Sequence, residues 1–193
     1  SDATFNHIVH QCAEHGTALR FIGWGEPLLH PKITYWIMKA HSYGLLTHLN
    51  TNGSKLDRIM AVRLVVAGLT SMKFSFQGVD RKSYREMRNI DWFDQLIETI
   101  GVMVEARGDK AFPWIALSTT ITDETEEAVH AFKVRVGHLV NELSVGHTIF
   151  DFMDLSAVRL NDADRARVTI IPDTESQSLA ATLARDYSTK SER

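Results

Sequence analysis

Phe21-Ile22-Gly23-Trp24-Gly25-Glu26-Pro27-Leu28-Leu29-His30-Pro31 is the stretch whose reading decides the fold. Leu19 to Ile22 is a short apolar run with the length of a strand, and it stops at two glycines. Beyond the turn, residues 31–43 place Ile33, Trp36, Ile37 and Ala40 on one helical stripe, and Gly44 is a natural stop. The unit is therefore strand, polar turn, helix.

Outward from it the same unit recurs. Thr4 to His15 predicts a helix, with Phe5, Ile8, Val9 and Cys12 at helical spacing. Strands are predicted at 45–49, 71–76, 114–121 and 142–145. Helices are predicted at 54–66 with Ser54 as N-cap, at 92–107 with Phe93, Leu96, Ile97, Ile100 and Val104 as one face, and at 124–137 behind Asp123 as cap. Strand-then-helix repetition implies parallel strands joined by helical crossovers, hence an α/β fold. Residues 1–193 read as a single domain, with 168–193 as a C-terminal extension holding a helix at 176–187 and a frayed end at 188–193.

Composition excludes several classes. The chain is 44% hydrophobic and 23% charged, near the globular average, which argues against disorder and against a coiled coil. A net charge of −3 offers no general attraction to nucleic acid or to an anionic membrane. No apolar run has the length of a membrane span, and Ser1 to His7 has no basic region leading into an apolar core, so the expected location is cytoplasmic. Cys12 is the only cysteine, which rules out an internal disulfide and a four-thiolate metal site. On a helix His7 and His10 share a face while Cys12 points elsewhere, so with His15 they form a polar face and no metal site. Trp36, Trp92 and Trp114 read as packing residues, and Trp24 as a wall of a pocket.

In a parallel sheet of this kind, function gathers at the carboxyl ends of the strands. The polar clusters fall there: Gly23 to Pro27, Asn50-Thr51-Asn52-Gly53, Ser75 to Asp80, and Ser118 to Asp123. Turn and cap chemistry alone favours Gly, Asn, Ser and Asp at any one tip. All four tips together point to a binding rim. The chain has no Gly-x-x-x-x-Gly-Lys-Ser/Thr phosphate loop, and Gly23-Trp24-Gly25 lacks the third glycine of a dinucleotide fingerprint.

The stretch at 21–31 resembles the strand-end motif of radical S-adenosylmethionine enzymes, a Gly-Glu-Pro followed by Leu-Leu and a proline. Thr51-Asn52-Gly53 after the next strand, and Phe74 to Asp80 with Tyr84 and Met87-Arg88 beyond, are similar to the peptide- and protein-modifying subgroup. The resemblance runs from residue 17 to about 150. It implies a partial parallel (β/α) barrel of TIM-like type that lacks its first strand here, leaving 19–22 as an exposed sheet edge. It implies S-adenosylmethionine and a [4Fe–4S] cluster as cofactors of the complete parent, with reductive cleavage giving a 5′-deoxyadenosyl radical for hydrogen abstraction from an unknown substrate, such as a peptide or protein.

The same resemblance assigns cofactor contacts to Gly25, Glu26, Pro27, Asn52, Ser75, Gln77 and Arg88. A glycine at 25 admits a ligand to the backbone, whose carbonyls accept from an ammonium. Glu26 brings negative charge, and Pro27 turns the chain away. Ser75 and Gln77 reach a ribose, and Arg88 pairs with a carboxylate in bidentate fashion. The family holds its cluster on three cysteines spaced C-x3-C-x2-C, which this sequence does not contain. The expectation is a piece of a longer enzyme, inactive by itself, with the cysteines roughly 15–30 residues upstream of Ser1, from the length of a strand and part of a helix. The alternatives are a non-catalytic binding or scaffold domain of the same fold, and an unrelated barrel enzyme that takes a phosphorylated small molecule at its strand ends.

Overall fold

The computed structural model describes residues 1–122 and 124–147. Five strands form one sheet, all parallel, in the order β1-β2-β3-β4-β5. They are β1 (Leu19–Phe21), β2 (Thr47–Thr51), β3 (Ser71–Ser75), β4 (Trp114–Ile121) and β5 (Glu142–His147). The helices are α1 (Asp2–His15), α2 (Ile33–Ser42), α3 (Arg58–Val66), α4 (Arg81–Arg88), α5 (Phe93–Arg107) and α6 (Glu126–Val136). Strands that follow one another in both sequence and space, with right-handed crossovers, place every connecting helix on the same side of the sheet. That is a singly wound arrangement, as in a barrel, with no described helix on the opposite face.

The burial pattern matches. Leu49 of β2, Met72 and Phe74 of β3, and Ile115 and Leu117 of β4 are wholly buried with Leu64 of α3 and Leu96, Ile100 and Met103 of α5. Burying each such side chain contributes about 1.5–3 kcal/mol. A smaller cluster of Phe5, Val9, Ala40 and Leu45 seats α1 and α2 beside β1. Among the described residues β1 pairs on one side only, with β2, so it is the sheet's edge. No described helix is long and apolar enough to cross a membrane.

Four local readings need correction. The helix predicted from 54 begins at Arg58, and its cap is Asp57, whose carboxylate accepts from the Met60 N–H. Residues 53–56 instead form a turn closed by Leu56 N–H on the Gly53 carbonyl. The helix predicted from 124 begins at Glu126 behind Thr125, which accepts from Ala128 N–H. Trp114 is 45% exposed at the start of β4 and is not a packing residue. Helix α4 goes unread because it carries little apolar periodicity: only Tyr84 is buried. Its start is nonetheless written in Asp80 and Ser83, which form a capping box. The predicted helix at 176–187 and the extension from 168 lie outside the described residues.

Candidate functional site

The carboxyl ends of β1, β2 and β3 enclose a cleft of about 510 Å³, lined by residues 22–26, 50–52, Ser75 and Arg88. Pockets for small molecules and cofactors run from roughly 300 to 1,000 Å³. Gly25, Glu26, Asn52, Ser75 and Arg88 of the expected set therefore meet in one place. Pro27 does not line this cleft. It opens a short 3-10 turn, Pro27–Leu29, and borders a shallower depression beside it. Gln77 does not line the cleft either. It sits on a segment that continues along β4, held by Phe76 N–H on the Ser118 carbonyl at 2.7 Å and Gly78 N–H on the Thr120 carbonyl at 3.0 Å.

Gly25 has φ +152°, a conformation in practice limited to glycine, and an added Cβ would meet no protein atom within 4 Å. The space beside it is open for a ligand. Trp24 next to it is fully exposed and lines the mouth of the cleft.

Glu26 is tied into the protein itself. Its Oε1 accepts from the Thr51 hydroxyl at 2.6 Å and from Leu28 N–H at 3.1 Å, and its Oε2 accepts from Asn52 N–H at 2.7 Å. The expected role was charge toward an ammonium. The geometry makes Glu26 first a clip that joins the β1 turn to the end of β2. Thr51, only 2% exposed, is the hub of that clip, since its hydroxyl also accepts from Gly53 N–H at 3.0 Å. Sequence reading quoted Thr51 within Thr51-Asn52-Gly53 but gave it no role of its own. The Asn52 side chain accepts from Ser54 N–H at 2.9 Å and so shapes its own turn.

Arg88 closes the floor from the last turn of α4. One terminal nitrogen donates to the Ser75 carbonyl at 3.1 Å, and its Nε is buried with no protein partner. A buried N–H without a partner is costly, so this donor is poised for an acceptor that a ligand brings. With Nη2 engaged on Ser75, the expected bidentate pairing narrows to the edge that remains.

The residues present do not fit an iron–sulfur cluster. Three thiolates are needed, and Cys12, the single cysteine, lies half-buried on α1 against the Phe5 and Val9 cluster.

Two curated proteins are similar over part of the chain. The PqqA peptide cyclase of Granulibacter bethesdensis is 33% identical over 73 residues, 38% of this chain and 20% of its own length. The GTP 3′,8-cyclase of Chlorobaculum tepidum is 37% identical over 84 residues, 42% of this chain and 25% of its own length. The chain thus matches a quarter or less of either relative. Among solved structures, Streptococcus suis SuiB bound to S-adenosylmethionine superposes on 96% of this chain and 40% of SuiB, with a TM-score of 0.66 at 15% identity. TYW1 with a lysine–pyruvate adduct superposes on 84% of this chain and 57% of TYW1, with a TM-score of 0.55 at 15% identity. These likenesses support the partial barrel, and the family description "Radical SAM superfamily" matches residues 3–134. That match sets aside the unrelated barrel enzyme as an alternative, and the chain belongs to the radical SAM superfamily.

Proposed function

We propose that residues 1–147 form the cofactor-holding core of a radical S-adenosylmethionine enzyme, with S-adenosylmethionine seated in the cleft at the ends of β1, β2 and β3. The single observation that carries the reading is the buried, unpartnered Arg88 Nε on the floor of a cleft that also gathers Gly25, Asn52 and Ser75. Its donor suits the cofactor's carboxylate. The Ser75 hydroxyl suits a ribose oxygen. Carbonyls of the turn around Gly25 accept from the α-ammonium, with Glu26 holding that turn against β2. Once bound and reduced, the cofactor supplies the hydrogen-abstracting chemistry of the family.

The 193 residues do not bring the cluster's thiolates, so this chain alone performs no radical reaction. The parent's substrate is a peptide or protein. That reading draws support from the similarity to a peptide cyclase and from the likeness to SuiB, which has also been solved bound to its precursor peptide SuiA.

Calorimetric titration with S-adenosylmethionine tests the cleft. The cluster that would chelate the amino and carboxylate groups is missing, which leaves a few hydrogen bonds of about 1 kcal/mol each and adenine burial. Against the cost of immobilising a flexible ligand the expected Kd is roughly millimolar. Micromolar binding that survives both Glu26→Ala and Ser75→Ala would mean that the cofactor sits elsewhere.

A further inference from the structure

The sheet face turned away from the helices carries a polar row that runs on from the cofactor cleft through residues the cleft does not use, His48, Ser71 and Lys73. Side chains alternate along each strand. Leu49, Met72 and Phe74 go to the helix side, so His48 and Asn50 of β2 and Ser71, Lys73 and Ser75 of β3 share the other face. Register sets Arg20 beside His48 and Lys73 beside Asn50. On β4 the residue paired with Lys73 is the small, buried Ala116.

His48 spans this row. Its Nε2 lies 2.7 Å from Asn50 Oδ1 and its Nδ1 lies 2.7 Å from Ser71 Oγ. An amide oxygen only accepts, so Nε2 carries the proton and Nδ1 accepts from the Ser71 hydroxyl. The Asn50 amide nitrogen is then left as a donor, and Asn50 lines the cleft. Burial, with the nearby charges of Arg20 and Lys73, holds the His48 imidazole below its ordinary value of 6.5, against the Asn50 hydrogen bond, which raises it. At neutral pH the ring is uncharged and two cations remain. Neither Arg20 nor Lys73 has a carboxylate partner among the described residues. The nearest acid by register, Glu142 of β5, stands opposite Ala116, two strand spacings or about 10 Å from Lys73. A partly exposed lysine without a carboxylate partner can take an anion that a ligand brings.

We propose that this face is the substrate subsite, and that it binds an anionic oxygen group of the substrate, carboxylate or phosphate, through the Lys73 ammonium and the Asn50 amide, with His48 as the residue that positions Asn50. The proposal rests on the cofactor reading of the cleft, because hydrogen abstraction needs the substrate beside the cofactor. Ser75 is two residues along β3 from Lys73, about 6.6 Å, which sets the anion within a few ångströms of the cleft.

The experiment follows the His48 imidazole by NMR titration on the 193-residue chain, its signal assigned with His48→Gln. Succinate and inorganic phosphate are the two probes, and neutral succinamide and matched sodium chloride are the controls. A bound anion offsets the fields of Lys73 and Arg20, so the His48 pKa rises, saturably. Lys73→Met weakens that response at least tenfold, and Lys73→Arg retains it. Response to succinate alone names a carboxylate, and response to phosphate alone names a phosphate. No response to either anion, an equal response to succinamide or chloride, or a full response in Lys73→Met overturns the proposal. The wild-type comparison of succinate with succinamide stands even where Lys73→Met does not fold. A parallel S-adenosylmethionine titration separates the two readings: an anion response without cofactor shifts keeps the anion site but sinks the cofactor reading and with it the substrate role, and the reverse sinks this subsite alone.

Discussion

Replacing Glu26 by alanine removes three hydrogen bonds at once, those to the Thr51 hydroxyl, Leu28 N–H and Asn52 N–H. Thr51 is buried, so its hydroxyl proton is left without an acceptor inside the protein. The carboxylate itself is only half-buried, and water replaces part of what is lost, so about 1 kcal/mol per bond is the fitting scale. The expected destabilisation is about 3 kcal/mol, which lowers Tm by roughly 6–12 °C at this chain length. Glu26→Gln keeps one oxygen as acceptor and opposes its NH2 to a backbone N–H, so it falls between wild type and alanine. Urea unfolding gives the total, and amide hydrogen exchange at Leu28 and Asn52 locates it, since both should exchange faster. A loss below about 0.5 kcal/mol for Glu26→Ala, the range of a plain surface change, refutes the clip.

Three further outcomes are expected. Gly78 has φ +69°, and a Cβ there would lie 2.8 Å from the Ser83 backbone carbon, so Gly78→Ala costs roughly 2–4 kcal/mol in chemical denaturation. Asp94 joins α5 to α4 and α6 through Arg135 and Arg81, whose hydrogen bonds hold its carboxyl below its ordinary value of 3.8. The unfolded chain therefore takes up that proton first, and the contribution is present above about pH 4 and lost as pH falls through the folded value, a slope that Asp94→Asn abolishes in acid unfolding curves. Anaerobic treatment with iron and sulfide should yield no 5′-deoxyadenosine from this polypeptide, and turnover of S-adenosylmethionine by it alone would sink the claim of inactivity.

Much of this was legible in the sequence, for reasons that differ by element. β4 was read with its observed bounds, 114–121, and α5 to within one residue, because Phe93, Leu96, Ile97, Ile100 and Val104 repeat at helical spacing over a long run. Helix α4 escaped because it is short, charged and held by a cap rather than by an apolar stripe. The Asp57 cap was displaced in the reading by Ser54, which looks the same locally but is consumed by the Asn52 turn. The cleft's members were foreseeable from strand-tip position. What Glu26 does there was not, because its partners Thr51 and Asn52 lie 25 and 26 residues away and only the paired register of β1 and β2 brings them together. Gln77 was misplaced for a related reason: the chain past Ser75 keeps hydrogen bonding along β4 instead of turning into the cleft. Asn50, fixed by His48, carried no local signal beyond its neighbours.

The most direct test of the account is an amide NMR map of S-adenosylmethionine binding on the 193-residue chain. The expected result is fast-exchange shifts, on a roughly millimolar isotherm, confined to the cleft: Gly25, Asn52, Ser75 and the Arg88 side-chain Nε–H, whose signal should be protected from exchange when the ligand is bound. Shifts that leave these four signals unmoved, and gather on another surface of the sheet or helices, would contradict the assignment of this cleft to the cofactor.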